Sequence, residues 1–389
     1  MADDDDFDGV SLADLRRRRS SKWVTHPPDV LPAFVAELDV PLADPVKRAL
    51  HEAIDLGDLG YTEPDGLPEA FAAYAADRHG WAVDPADVHL VPDVMVGVVE
   101  VLRAAGRTGT GVVINPPVYP PFFADLPEAG RRVVEVPLAR DRTGSGGWTL
   151  DLDALEAAFR AGARTYLLCS PHNPLGRVWT PDELRAVAEL ADRYGLLVLS
   201  DEIHAPLTLP GARHVPFPTL AGGESVAFWS ASKAWNTAGL KCAVAVTSGP
   251  RGRELLGRLP AEVRYRAGIL GVVAAVAAFT DGRPWLDSLL AHLDRNRRLL
   301  ADLLASALPE VGYRPPDASF LAWLDFAAYD LGDDPAAVLR ERGKVALERG
   351  LDFGRPGAGF ARLNIGTSRA LLTEAVDRIA AATLGSASG

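Results

Sequence analysis

Cysteine is scarce in this chain, and long apolar runs are missing from it. The only two cysteines among 389 residues, Cys169 and Cys242, both lie inside apolar segments, which argues against a disulfide framework or a cysteine-rich metal site. The longest apolar run, Ile269–Phe279, is far below the roughly 20 residues that cross a bilayer, and no apolar signal segment follows the start. We therefore expect a cytoplasmic protein with no metal centre and no membrane partner.

Basic residues are also few relative to acidic ones, and lysine is rarer than arginine. Lysine and arginine total 40 against 52 acidic residues, so the net charge is −12 and the chain should repel nucleic acid. Five of these 40 are lysines, at positions 22, 47, 233, 241 and 344. Lysine can act as a neutral amine nucleophile whereas arginine stays protonated, so each remaining lysine is a candidate for chemistry.

Short apolar runs alternate with amphipathic stretches from about residue 85 to residue 250. Continuous apolar runs of this length are typical of strands buried on both faces. The runs are Gly111–Asn115, Val133–Val136, Thr165–Cys169, Leu196–Ser200, Ser225–Trp229 and Ala243–Thr247. Between them, Leu152–Arg160 and Pro181–Tyr194 have helical periodicity, the second with an N-cap at Thr180. The pattern predicts an α/β fold with a mostly parallel sheet and helices on both faces.

The pattern of apolar and polar residues changes after about residue 284. A long amphipathic helix is predicted over Trp285–Leu308, followed by strands at Ser319–Asp325, Lys344–Glu348 and Phe360–Asn364. We expect a large α/β domain over residues 46–284 and a smaller α+β domain built from residues 1–45 and 285–389.

Polar residues follow three of the predicted strands directly. These segments are Ser170–Gly176, Asp201–His204 and Ser230–Lys233. In open α/β sheets, ligands collect beyond the carboxyl ends of the strands, so a carboxylate, an amide, two hydroxyls and a rare lysine meet at one edge. Pyridoxal phosphate (PLP) needs this combination: a lysine amine for its aldehyde, a carboxylate for its ring nitrogen and hydroxyls for its phosphate.

At these motifs the sequence resembles the aspartate-aminotransferase superfamily of PLP enzymes, known as fold type I. Within it, the sequence is most similar to the MalY/PatB-like group of cystathionine β-lyases, also called cysteine carbon–sulfur lyases. The likeness extends from Ser21–Trp23 to Phe360–Asn364, over nearly the whole chain. It implies a seven-stranded, mostly parallel sheet in the large domain.

The resemblance implies roles around the cofactor ring. Lys233 would hold the cofactor, and Asp201 would face the pyridine nitrogen. Asn173 and His204 would lie beside the phenolic oxygen, while Tyr119 would stack on the ring and contact the substrate.

The resemblance also implies a phosphate site at the start of a helix. Ser230, Ser232 and Lys241 would surround the phosphate, and the backbone amides of Val94 and Met95 would bind it as an anion. Two residues depart from the family pattern. Lys241 stands where many members have arginine, so it offers a point charge instead of a bidentate fork. Asp93 precedes the helix where relatives often have glycine or serine, and we expect its side chain to turn away and cap the helix.

Two further residues complete the implied site. Arg362 would bind the substrate carboxylate together with Asn173, and Tyr61 would reach the phosphate from the neighbouring subunit, so the resemblance implies a homodimer. The substrate would be a small molecule, an amino acid.

Two enzyme activities remain open at this point. A β-lyase would cleave cystathionine or a related cysteine S-conjugate to pyruvate, ammonia and a thiol, whereas an aminotransferase would pass its amino group to a keto acid. His204 favours the lyase, because aminotransferases usually have tyrosine there. A Ser-x-x-Lys acyl-transfer site at Ser230 and Lys233 is disfavoured, since its Ser-Asp-Asn and Lys-Thr-Gly partner motifs are missing.

Overall fold

A seven-stranded sheet lies at the centre of the chain. The computed structural model describes residues 5–106, 108–140, 147–220, 225–247 and 249–385. Across the sheet the strands lie in the order Val88–Val91, Ala243–Thr247, Ser225–Trp229, Leu197–Asp201, Thr165–Cys169, Gly111–Ile114 and Arg132–Glu135. Six of them are parallel to one another, and Ala243–Thr247 is antiparallel to both of its neighbours. The predicted fold class is confirmed.

All six strands predicted between about residues 85 and 250 are present, each within one residue of its predicted ends. The seventh, Val88–Val91, was not predicted; it is short, and His89 interrupts its apolar run. It pairs with Ala243–Thr247 at the edge of the sheet.

Helices cover both faces of this sheet, as the strand Thr165–Cys169 illustrates. Its Leu167 packs in the same cluster as Val98, whereas Leu168 packs with Leu155 and Leu184 in a separate cluster. Successive strand residues point to opposite faces, so two clusters on one strand require cover on both sides. The helices of this part are Asp44–Leu56, Leu67–His79, Val94–Ala104, Pro121–Glu128, Leu152–Arg160, Pro181–Tyr194, Pro250–Gly257, Ala261–Tyr265 and Ile269–Phe279.

The predicted helix boundaries follow from capping chemistry. Helix Pro181–Tyr194 begins with a capping box, in which Thr180 Oγ1 accepts a hydrogen bond from Glu183 N and Glu183 Oε2 accepts one from Thr180 N. It ends at Gly195, whose φ of 59° is in the left-handed region. Both helices predicted between the strands of the large sheet have the observed ends.

A second, antiparallel sheet forms from the C-terminal part of the chain. Its strand order is Gly312–Tyr313, Leu321–Asp325, Phe360–Asn364 and Glu348–Arg349. The helices beside it are Arg283–Ala307, Pro335–Gly343 and Arg369–Leu384. The prediction of one strand over Lys344–Glu348 is wrong: the segment divides into Val345–Ala346 and Glu348–Arg349, which belong to different sheets.

The N-terminal segment packs against this C-terminal part. It contains the short helices Asp5–Asp8, Leu12–Leu15 and Ser21–Val24. Leu31–Pro32 pairs in parallel with Val345–Ala346, and Asp39 N donates to the Gly366 carbonyl at 2.8 Å. These contacts agree with the predicted grouping of the two ends, although the domain boundaries themselves stay a prediction.

Within the described residues, no single helix is long and apolar enough to span a bilayer. Ile269–Phe279 and Arg283–Ala307 meet that length and composition only as a pair, and they are bent by 79°.

Candidate active site

A cavity of about 660 Å³ opens beyond the carboxyl ends of the central strands. Eleven of the twelve residues predicted for the site line it: Val94, Met95, Tyr119, Asn173, Asp201, His204, Ser230, Ser232, Lys233, Lys241 and Arg362. Tyr61 is the exception; it does not line the cavity, and it is 89% exposed in the single chain.

Lys233 lies in the turn after strand Ser225–Trp229, with its amine inside the cavity. Its Nζ donates to the carbonyl of Ala36 at 3.1 Å, a contact with the N-terminal segment 197 residues away. Burial lowers the pKa of Lys233 to about 8; the charge of Arg362 acts in the same direction, and Asp201 opposes it. The neutral form of this amine, which a nucleophile or base requires, is therefore far more populated near neutral pH than in an ordinary lysine.

Asp201 is the last residue of the strand Leu197–Asp201 and is buried, with 4% exposed. Its Oδ1 accepts from the backbone N of Ile203 at 3.1 Å. Burial raises the pKa of Asp201 to about 7, against the lowering effects of the Ile203 amide and Lys233. The ionised form of such a buried carboxylate is strongly stabilised by a cation at contact distance.

His204 is held by Ser319, a residue that the sequence analysis did not identify. Ser319 Oγ lies 3.0 Å from His204 Nδ1, and both side chains are buried. Burial lowers the pKa of His204 to about 3, reinforced by Lys233 and Arg362, so the imidazole is neutral. The hydrogen bond at Nδ1 leaves Nε2 as the second polar atom of the ring. Ser319 has a φ of 76°, a left-handed conformation uncommon outside glycine.

Arg362 is 4% exposed and holds Asn173 in place. Its Nη1 donates to Asn173 Oδ1 at 3.0 Å, and its Nη2 donates to the carbonyl of Phe34 at 2.9 Å. Glu348 Oε2 lies 3.4 Å from Nη2, and the ring of Phe353 lies 5.0 Å from the guanidinium carbon. Arg362 Nε is buried without a partner among the described residues.

The opposite end of the cavity has the start of helix Val94–Ala104. Asp93 caps this helix, since its Oδ1 accepts from Val96 N at 2.8 Å, which confirms the predicted cap. Its Oδ2 lies 3.1 Å from Lys241 Nζ, so the negative charge that we expected to turn away is paired with the lysine. Lys241 is the cation paired with Asp93 at this end of the site, and its φ of 57° is also left-handed.

Ser230 has its hydroxyl engaged within the chain. Its Oγ donates to the carbonyl of Cys242 at 2.7 Å and accepts from Ser232 N at 3.0 Å. These bonds shape the turn that carries Lys233. The phosphate role of Ser230 stays a prediction.

Tyr119 lies along the cavity wall, with an edge contact to Phe122 at 6.0 Å between ring centroids. Burial raises the pKa of its hydroxyl to about 12, so the ring is neutral at physiological pH.

Four residues at the site were missed from the sequence: Phe34, Ala36, Ser319 and Glu348. The first two act through backbone carbonyls, which any residue type supplies, so no sequence signal marks them. Ser319 begins a predicted strand and Glu348 ends one, but neither belongs to a motif.

The residues present fit PLP. A partly neutral amine, a buried carboxylate that forms no ion pair within the described residues and a helix N-terminus line one cavity. The buried Nε of Arg362 adds an unused donor for a carboxylate. These are the groups that the cofactor's aldehyde, ring nitrogen, phosphate and substrate require.

Comparison with known proteins identifies relatives over almost the entire chain. Residues 37–379 match the aminotransferase class I and II family. Cystathionine beta-lyase PatB of Bacillus subtilis is 36% identical, covering 91% of this chain and 92% of its own length. A cystathionine beta-lyase of Corynebacterium glutamicum is 35% identical, covering 95% of this chain and 98% of its own length. The structure of a PLP-bound C-S lyase from Staphylococcus hominis superposes with a TM-score of 0.90 at 26% identity. The match covers 97% of this chain and 98% of that structure's chain. The resemblance inferred from the sequence motifs is confirmed.

Proposed function

The chain belongs to the class I and II aminotransferase family, and we propose that within it this protein is a PLP-dependent carbon–sulfur β-lyase. The observation that carries the proposal is the convergence of Lys233, Asp201 and Arg362 on one cavity. The substrate class is cystathionine or a related cysteine S-conjugate. With one water, cystathionine gives pyruvate, ammonia and homocysteine.

When bound, PLP supplies an electron sink that stabilises negative charge at the substrate Cα. Asp201 would keep a proton on the ring nitrogen, because its buried carboxylate is stabilised by an adjacent cation. Lys233 Nζ would hold the cofactor through its aldehyde and, once free, would accept the proton from Cα. The lowered pKa of Lys233 supports this second role, since a base must be neutral to accept a proton.

Arg362 and Asn173 orient the substrate. The guanidinium would bind the α-carboxylate, and its hydrogen bond to Asn173 Oδ1 would orient that amide toward the cofactor's phenolic oxygen. Fixing the carboxylate sets the direction of the Cα–H bond relative to Lys233, which is how positioning accelerates the proton transfer. His204 is neutral and held by Ser319, so it can hydrogen-bond this oxygen without adding charge.

Elimination differs from transamination in the bond that breaks after the proton leaves Cα. In the lyase the Cβ–S bond breaks and the electron pair leaves with sulfur; a thiol with a pKa near 8.5 is a fair leaving group at neutral pH. The names of the relatives from B. subtilis and C. glutamicum support the lyase, as does His204.

We further propose that the active form is a homodimer in which Tyr61 enters the partner's cavity. Tyr61 is exposed beside the apolar residues Leu56 and Leu59, which are 76% and 59% exposed. Large apolar side chains exposed together are typical of an interaction surface. Tyr61 lies outside its own chain's cavity, which supports a role across the interface.

The purified protein incubated with cystathionine tests the proposed function. Pyruvate and free thiol should form in equal amounts, and Lys233→Ala should abolish both. Lys47→Ala is the matched control, because Lys47 lies on the exposed face of helix Asp44–Leu56, away from the cavity, and activity should be retained. Amino-group transfer to an added keto acid without thiol release would instead identify an aminotransferase.

A further inference from the structure

Arg362 has an acidic partner inside the cavity, and that partner is Glu348. Strand Glu348–Arg349 pairs antiparallel with Phe360–Asn364, and the register sets Glu348 directly opposite Arg362. Glu348 Oε2 lies 3.4 Å from Arg362 Nη2, and both residues line the cavity. Because the two residues are cross-strand neighbours, the backbone holds their side chains side by side.

The guanidinium of Arg362 has few free donors. Nη1 donates to Asn173, and Nη2 contacts both the Phe34 carbonyl and Glu348. A carboxylate binds arginine bidentately by accepting hydrogen bonds from two neighbouring nitrogens. The two possible pairs are Nη1 with Nη2 and Nη2 with Nε, so Nη2 takes part in either mode. Bidentate binding of a substrate carboxylate therefore displaces the Phe34 carbonyl or Glu348 from Nη2, and Glu348 is the one with the longer contact and a like charge.

We propose that Glu348 occupies the place of the substrate's α-carboxylate at Arg362 and releases it, taking up a proton, when the substrate binds. This inference rests on the proposed function in one respect, since it takes Arg362 as the anchor of the substrate carboxylate.

The charge balance explains the proton uptake. Without substrate, Glu348 compensates the charge of the buried guanidinium, which would otherwise be costly to bury. Burial already raises the pKa of Glu348; Arg362 opposes the rise and Asp352 adds to it. A second carboxylate at the same guanidinium disfavours the ionised form further. A group whose pKa rises on binding takes up a proton, so carboxylate binding should strengthen as the pH falls.

The surrounding charges leave Arg362 as the cation closest to Glu348. Asp352 pairs with Arg349 at 3.6 Å, and Arg349 also pairs with Asp334 at 2.7 Å, so these charges compensate one another. The charged residues of the adjacent helix Pro335–Gly343, which are Arg340, Glu341 and Arg342, are exposed. The cavity wall also has ionisable side chains, among them Lys233, Asp201, Tyr119 and His204.

Binding of propionate to the PLP-loaded protein tests the exchange. Propionate has the carboxylate but no amine, so it engages Arg362 without starting the reaction. Proton uptake is measured by pH-stat at pH 8 in the wild type, in Glu348→Gln and in Asp352→Asn. The last variant removes an equal charge four residues away, with no contact to Arg362. Propionamide, which has no carboxylate, is the control ligand.

The wild type and Asp352→Asn should take up more protons than Glu348→Gln, and propionamide should cause no uptake. Any response of Lys233 is common to the three proteins, so the difference between them is the readout. At pH 8 Glu348→Gln should bind propionate roughly tenfold more tightly, the lower end of the effect of one charge at contact distance.

Equal proton uptake by the wild type and Glu348→Gln overturns the proposal. A wild-type dissociation constant for propionate that is unchanged from pH 6 to pH 9 overturns it without any variant. Failure of pyruvate formation from cystathionine would remove the lyase activity while leaving an observed difference in uptake in place, so the two proposals fail separately.

Discussion

Lys233 differs from the other lysines of the chain in what surrounds its amine. Lys22 is also buried, but it forms an ion pair with Asp39 at 2.7 Å and therefore serves the N-terminal segment as a structural cation. Lys241 pairs with Asp93 at the cavity edge. Lys233 donates to a neutral carbonyl instead of an anion. The lowering of its pKa by burial is therefore opposed only in part, and the pKa falls to about 8. This environment produces the amine that the chemistry needs.

Borohydride reduction of the PLP-loaded protein should attach the cofactor irreversibly to Lys233. The reason is that this amine is the partly neutral one in the cavity. Proteolysis and mass spectrometry of the peptides locate the label. A label on Lys241, the other lysine of the cavity, would contradict the assignment.

Asp201→Asn should stabilise the cofactor-free protein at pH 8 while slowing the elimination. The folded-state pKa of Asp201, about 7, exceeds its ordinary value of 3.8, so the folded state binds the proton more tightly. Stability is therefore lost as the pH rises from about 4 to 7, and the loss is complete above that range. Asparagine carries no charge, so at pH 8 the variant should be more stable by roughly 1–4 kcal/mol.

Urea unfolding of the cofactor-free wild type and Asp201→Asn at pH 4.5 and pH 8 checks this expectation. The difference in unfolding free energy between the two proteins should be large at pH 8 and small at pH 4.5. Equal stability at pH 8 would show that burial of Asp201 costs nothing in the folded chain.

The sequence identified the site residues that follow strands, and it missed those supplied by packing. Asn173, Asp201 and Lys233 could be predicted because each lies just beyond an apolar run, where parallel strands deliver side chains to one edge. Ser319 meets His204 across 115 residues, and Glu348 meets Arg362 through the register of two strands. Neither juxtaposition has a local sequence signal, because tertiary packing alone creates it.

At the scale of elements, local chemistry decided what could be predicted. Helices with a capping residue and a glycine after their end, such as Pro181–Tyr194, have sharp boundaries in the sequence. Strand Val88–Val91 is four residues long and contains a half-buried histidine, so its pattern is too weak to identify. The segment Lys344–Glu348 is predicted as one strand, because the change of sheet at Leu347 has no turn residue to mark it.

The helix Val94–Ala104 has an acidic cap where the phosphate is expected, and this should weaken cofactor binding. Asp93→Ser keeps a capping hydroxyl while removing the negative charge and freeing Lys241. We expect the variant to bind PLP several-fold more tightly, because a like charge near the phosphate is removed. Equilibrium dialysis gives the dissociation constant.

Asp151→Ser is the matched control for Asp93→Ser. Asp151 caps helix Leu152–Arg160 in the same way, through a bond from Ala154 N at 2.9 Å, and lies outside the cavity. Its substitution should leave PLP affinity unchanged. Weaker binding in Asp93→Ser would mean that the Asp93–Lys241 pair itself supports the phosphate site.

At the scale of the whole molecule, distant parts of the chain close the site. The N-terminal segment supplies the Phe34 and Ala36 carbonyls, the large sheet supplies Lys233 and Asp201, and the C-terminal sheet supplies Arg362. The reactive groups therefore come together only when the two ends of the chain have packed on each other. The proposed contribution of Tyr61 extends this dependence to a second subunit.

Mixed dimers test the role of Tyr61. Lys233→Ala and Tyr61→Ala should each be inactive alone, because each lacks one part of every site. Co-expressed with different affinity tags, they should form hybrids in which one of two sites is intact, so the purified hybrid should have about half of wild-type activity. Purification of the doubly tagged species and a pyruvate assay measure this. Hybrids without activity would place Tyr61 outside the partner's site.

The count of pyruvate molecules formed per subunit, with cystathionine as substrate and no keto acid added, tests the central claim most directly. A β-lyase returns to its starting state after each elimination, so pyruvate should accumulate to many equivalents per subunit, with homocysteine in the same amount. A reaction that stops after one equivalent and resumes only when a keto acid is added would contradict the account, and would assign this cavity to amino-group transfer.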